Sequence, residues 1–179
     1  MNRLRIAMMV LALAAMGPIT ESHALDAFLW IEGIRGGSLE PRHPGWIDIS
    51  SVGFGHKMAP ISGGRVGPPQ FDPITITKSI DASSPILALA AAAGGQPYKR
   101  AIIELWHNVA SKGPFMKIEL ELVSVTAYNA SASEAGQGAT ENASLSYGKI
   151  RWTVSPVDSK GGLGPPVTAA YDLTTGKAQ

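Results

Sequence analysis

The 179-residue chain reads as a mainly β protein, an antiparallel β-barrel with one short flanking α-helix. Three observations predict that class. Short apolar or alternating runs recur between clusters of Gly, Pro and Asn, which is the spacing of an antiparallel sandwich or barrel. Two neighbouring runs change phase midway, and a phase change bends a sheet. A single Pro-led, Ala-rich stretch carries the start and stop signals of a helix.

Residues 1–24 come first and stand apart. Arg3 and Arg5 precede an apolar run over residues 6–16, followed by Gly17-Pro18 and the small-residue site Ser22-His23-Ala24. This is the layout of a secretory signal peptide, with cleavage expected after Ala24. The run, about 11 residues, falls well short of the roughly 20 that cross a bilayer, so no stable membrane insertion is expected once the segment is removed. Residues 25–179, about 155 in all, suffice for one domain with a real core. They carry about 13 basic and 13 acidic residues, a balance that argues against nucleic acid as a partner.

Strands are expected at 27–35, 46–56, 73–80, 99–108, 116–128, 143–154 and 167–173, from apolar alternation bounded by turn residues. In the fifth, Ile118, Leu120 and Leu122 occupy one face before the apolar side switches to Val123 and Val125, so a bulge or sharp coil is expected near Leu122. In the sixth, Leu145 and Tyr147 give way to Ile150, Trp152 and Val154 across Gly148. An extra residue reverses the facing of every residue after it, which is how strands turn barrel corners.

The helix is expected over 85–93. Ser84 can cap its free N–H groups, Pro85 suits the first helical position and Gly94 can take the left-handed conformation that ends it. Ile86, Leu87, Leu89 and Ala90 form an apolar stripe, and the alanines beyond permit close packing. So short a helix must dock. Residues 57–69, 129–140 and 161–166 read as surface loops; the first, with Gly63-Gly64 and Pro68-Pro69, is long enough to be expected to make contacts.

Chemistry is sparse. The chain has no cysteine, which removes disulfides, thiolate metal sites and thiol nucleophiles. Beyond residue 24 the histidines are His43, His56 and His107, far apart and without metal-ligand spacing. Gly36-Gly37-Ser38-Leu39-Glu40 lacks the second glycine of a nucleophile elbow. Glu119 and Glu121 share a strand face with Lys117 and read as solvated. Gly63-Gly64-Arg65-Val66-Gly67 runs into Pro68-Pro69 and not into a helix start, so no phosphate cradle is expected. Asn129-Ala130-Ser131 and Asn142-Ala143-Ser144 fit the glycosylation triplet, a short pattern that is common by chance. The expectation is a non-catalytic protein without cofactor or metal.

Three passages resemble the Hcp family (haemolysin-coregulated proteins), tube subunits of type VI secretion systems. They are the opening strand from Asp26 through Trp30 with its turn Gly33-Ile34-Arg35-Gly36-Gly37-Ser38-Leu39; the helix approach Lys78-Ser79-Ile80-Asp81-Ala82-Ser83-Ser84-Pro85; and the late strand Glu141-Asn142-Ala143-Ser144-Leu145-Ser146-Tyr147. They occur in family order and spacing across nearly all of residues 25–179. The resemblance implies a curved barrel with one helix, six copies closing into a ring, rings stacking into a tube, and a lumen that carries or shelters small protein cargo. It also implies effector or spike proteins as partners besides self, with Phe54, His56, Lys57 and Met58 as ring-stacking candidates. The signal peptide departs from the family pattern and implies a periplasmic or extracellular site; a start downstream of residue 24 would restore cytoplasmic tube assembly. The competing reading is an exported monomeric barrel that binds a small ligand through its interior or through Trp30, Trp46, Trp106 and Trp152. An exported hydrolase has least support, since no catalytic constellation is present.

Overall fold

The computed structural model describes residues 25–61, 63–107, 112–132, 138–156 and 162–179; the expected signal peptide, 1–24, lies outside them. The elements run β1 (Asp26–Ile31), β2 (Ile47–Ile49), β3 (Ser51–Gly53), β4 (His56–Ile61), β5 (Arg65–Phe71), β6 (Ile74–Ser79), α1 (Ser84–Ala93), β7 (Tyr98–Trp106), β8 (Met116–Ala132), β9 (Ala139–Ser146), β10 (Lys149–Val154), β11 (Val167–Asp172) and β12 (Lys177–Ala178). Among the described residues no helix is long and apolar enough to cross a membrane.

All strand pairs are antiparallel, and their order traces a barrel. β1 pairs with β7, β7 with the first half of β8, the second half of β8 with β9, and β9 with β6. β6 pairs with β3, while β2, one residue upstream, pairs back onto β1. Between β2 and β3 sits Ser50, whose N–H donates to the Thr77 carbonyl at 2.8 Å. The ladder therefore changes partner at Ser50, and the chain itself carries the path round. From the first half of β8 the sheet also continues outward through β10, β11 and β12 as a flange. Inside, Leu29, Ile31, Ile47, Ile74, Ile103, Ile118, Leu120 and Leu145 are fully buried. They come from alternate positions, as a half-buried strand requires.

Both expected corners exist. Ile118 and Leu120 face inward, Leu122 faces out, and Val123 and Val125 face inward again. Leu122 is the one non-glycine residue with positive φ (55°) among the described residues. Opposite it β9 passes into β10 at Gly148, whose N–H donates to the Glu121 carbonyl at 2.9 Å. Past Val123 β8 leaves β7 and keeps only β9, and α1 lies against Val123, Ser124 and Val125 of that half.

The structure departs from the sequence reading in several places. Residues 57–69 form no loop: β4 and β5 pair as a hairpin, turned by Gly63 and Gly64 at φ 80° and 74°. Pro68 and Pro69 are compatible with β5 because the strand has a neighbour on one side only, so a missing N–H is not missed. β8 extends to Ala132, four residues past its expected end, so the loop expected over 129–140 is partly strand. α1 begins at Ser84, but no side chain caps it. Ser84 turns its hydroxyl to Glu141 instead, at 2.9 Å. Of the apolar stripe only Leu87 is fully buried; Ile86 and Leu89 are exposed. Gly94, at φ 63°, ends the helix.

Candidate assembly surfaces

Two projections leave the barrel. The first is the arm made by β4 and β5, a two-stranded sheet of its own. Phe54, Met58, Ile61 and Val66 are exposed on it or at its foot, Val66 by 60%. A lone two-stranded ribbon is marginal in water, so apolar residues on one call for cover from elsewhere. The stacking candidates fall together here. Phe54 lies between β3 and β4, and His56, Lys57 and Met58 open β4, all four exposed.

The second projection is the flange, which strand register makes two-faced. Ile150 lies opposite Leu120 and Tyr171, Trp152 opposite Ile118 and Ala169, and Val154 opposite Met116 and Val167. These residues share one apolar face. Near the barrel it is core; toward the rim Val154 and Val167 are 39% and 67% exposed. On the other face Arg100 and Lys117 pair with Glu119, and Lys149 with Glu121 at 3.2 Å. Burial works against ionisation of Glu119, but hydrogen bonds from Arg100 and Lys117 and their charges outweigh it and hold its carboxyl below the usual range. That face is the solvated one expected from Lys117, Glu119 and Glu121.

Under the arm lies an aromatic cluster. Phe71, the last residue of β5, stacks on His56 with centroids 5.0 Å apart and on Trp152 at 6.3 Å, and lies 5.0 Å from Tyr171. Tyr147 meets Phe71 edge-on at 6.4 Å. Burial, then the charge of Asp72, pushes the Tyr147 hydroxyl up to about 12.

Two buried polar clusters brace the barrel, and neither was anticipated. Lys78, 1% exposed, pairs with Glu141, 0% exposed. The ammonium also reaches Asp81 at 2.8 Å, the Ser79 carbonyl at 2.8 Å and the Ser84 hydroxyl at 3.2 Å. Tyr128 donates to the second Glu141 oxygen at 2.6 Å, and Asp81 accepts from the Gly37 N–H at 2.7 Å. Hydrogen bonding to the carboxylate, helped by burial and its charge, raises Tyr128 to about 12. Burial resists charging Asp81, but bonds from Lys78, Ser83 and Gly37 prevail and lower it. Helix start, opening turn and late strand are thus tied together, and these are the three passages that carry the family resemblance. The sequence held a signal for this: Lys78 extends the inward series Ile74, Ile76, and Glu141 heads the series Ala143, Leu145.

The second cluster centres on His43, 2% exposed and stacked on Phe28 at 4.1 Å, with the edges of Trp46 and Trp106 at 4.8 and 5.4 Å. Its Nδ1 lies 2.7 Å from Glu40 and its Nε2 2.9 Å from Glu104. Burial disfavours the Glu40 anion, yet hydrogen bonds from His43 and Arg42 hold its carboxyl below the usual range. This histidine is a strut between the opening loop and β7. His107 lies just past β7, stacked on Phe115 at 4.4 Å. Among the tryptophans Trp106 is buried, and Trp30, Trp46 and Trp152 are half-buried. Among the described residues no group of three or more His, Asp or Glu side chains is placed to hold a metal.

Arm, flange and buried struts define a β-barrel protein with two projections that carry exposed apolar residues. The sequence profile described as "Type VI secretion system effector, Hcp" matches residues 28–154. The chain belongs to the Hcp family. No curated protein matches it in sequence. Among solved structures, one described as a type six secretion system protein superposes with a TM-score of 0.80 at 23% identity, covering 87% of this chain and 100% of that one. Hcp1 from Salmonella typhimurium superposes with a TM-score of 0.74 at 23% identity, covering 87% and 99%. A type VI secretion system effector from Yersinia pestis follows at 0.62 and 23%, covering 82% and 99%. At such identities these likenesses carry the fold.

Proposed function

We propose that the protein is a non-catalytic structural subunit that assembles with copies of itself into hexameric, type VI tube-like rings able to carry or shelter small protein cargo. The observation that carries the reading is the arm. Residues 56–71 stand off the barrel with Met58, Ile61 and Val66 exposed, an arrangement unfavourable for a protein that works alone. A head-to-tail contact that places the arm of one copy on the flange of the next repeats around a ring, and covers Val154 and Val167 as it does so. Phe54, His56, Lys57 and Met58, at the arm's foot, are proposed to meet the next ring. Effector and spike proteins are proposed as further partners, by membership of the family.

Residues 1–24 are proposed to act as a cleavable export signal, placing assembly in the periplasm or outside the cell; sequencing the mature N-terminus tests this, and Met1 retained returns the protein to cytoplasmic tube assembly. Light scattering with negative-stain imaging of the purified protein tests the ring. A hexamer with a central hole is expected, converted to monomer by Ile61→Asp with Val66→Asp. A wild-type monomer would reject the reading and favour the ligand-binding barrel.

A further inference from the structure

The arm has two feet, Gly55 and Asp72, joined by the hydrogen bond from the Asp72 N–H to the Gly55 carbonyl at 3.0 Å. Tyr147 adds a bond from its hydroxyl to the Asp72 carbonyl at 3.4 Å. Attachments so close together act as a pin, and a pin leaves the ribbon free to swing about the line through its feet. Among the described residues no other element packs extensively on the arm. What opposes the swing lies off that line, in the rings around Phe71.

We propose that Phe71 is a positioning residue that sets the angle at which the arm leaves the barrel, and through that angle decides whether neighbouring copies fit. The ring meets four others: His56 of the partner strand at 5.0 Å, Trp152 of β10 at 6.3 Å, Tyr171 of β11 at 5.0 Å and Tyr147 at the β9–β10 corner at 6.4 Å. The interplanar angles are 24° to His56, 21° to Trp152 and 33° to Tyr171, so these rings lie near-parallel, while Tyr147 meets Phe71 at 79°. Stacked and edge-on contacts together resist both sliding and tilting, because each geometry has its own preferred offset. An aliphatic side chain of similar bulk fills the space but loses those preferences. The consequence for assembly rests on the arm being the contact between copies; the clamp itself does not.

The chain has no cysteine, so a labelled pair is unique. Spin labels at Arg65→Cys, near the arm tip, and Asp48→Cys, on β2, report the arm's angle as a distance distribution in the full-length protein. A narrow distribution is expected with Phe71 and with Phe71→Tyr, and a broad one with Phe71→Leu, with loss of the near-ultraviolet dichroism of Trp152. Rings are expected to disappear with Phe71→Leu and to return with Phe71→Tyr. A distribution that stays narrow in both Phe71→Leu and Phe71→Ala overturns the proposal. A broadened arm with undiminished rings leaves the clamp standing and overturns the arm as the contact between copies.

Discussion

Leu122 and Gly148 fill the two sides of one barrel corner. A Cβ on Gly148 would lie 2.9 Å from Leu122 Cδ1 and 3.1 Å from its Cβ, while Leu122 holds φ 55°. The bend in β8 and the absent side chain on the facing strand are one feature, since Leu122 turns outward only because Gly148 leaves it room.

Gly148→Ala is therefore expected to destabilise by overpacking, about 1–3 kcal/mol. Leu122→Gly removes both the clash and the left-handed strain, so the double variant should be more stable than the sum of the two single effects predicts. Urea denaturation of the four proteins checks this, and additive effects would reject the coupling.

Lys78→Met leaves the Glu141 carboxylate buried without its cation. Stranding one partner of a buried pair costs about 3–5 kcal/mol, whereas replacing both partners by apolar residues is often far milder. The double variant Lys78→Met with Glu141→Leu should thus recover part of the loss, incompletely because Tyr128 and Ser84 lose their acceptor. Denaturant midpoints decide it.

His43→Leu keeps the packing on Phe28 in part but removes the hydrogen-bond partner of two carboxylates at once. A lowered melting temperature is expected, with a red shift of tryptophan fluorescence as Trp46 and Trp106 lose their packing. Glu104→Gln, which keeps an acceptor but drops a charge, should fall between wild type and His43→Leu.

Stability should decline at both ends of the pH scale. The carboxyls of Glu40, Asp81 and Glu119 are lowered on folding, so their contribution is present above their ordinary values of 4.5, 3.8 and 4.5 and is lost as pH falls through the folded ones. Tyr128 and Tyr147 are raised from 10.0 to about 12, so theirs is complete below pH 10 and is lost as pH rises toward 12. Melting temperature against pH measures both limbs. Tyr128→Phe should flatten the alkaline limb and leave the acid limb unchanged.

Alternation determined that this chain makes strands and where two of them break phase, and Pro85 with Gly94 marked one short helix; these are local matters, fixed by which neighbours along the chain are apolar and by single residues such as Pro85, Gly94 and Gly148. The absence of thiols was equally plain from composition. The shape of residues 57–69 was not, because paired glycines and prolines serve a loop and an edge hairpin alike, and only pairing with a partner strand decides between them. Phe54, His56, Lys57 and Met58 could be named from the family resemblance as stacking candidates, but not as the foot of an arm. Tertiary structure alone brought Lys78 to Glu141 across 63 residues and His43 to Glu104 across 61. Such pairs depend on the register of strands distant in sequence, and a register is settled by the packing of the whole barrel and not by any segment within it.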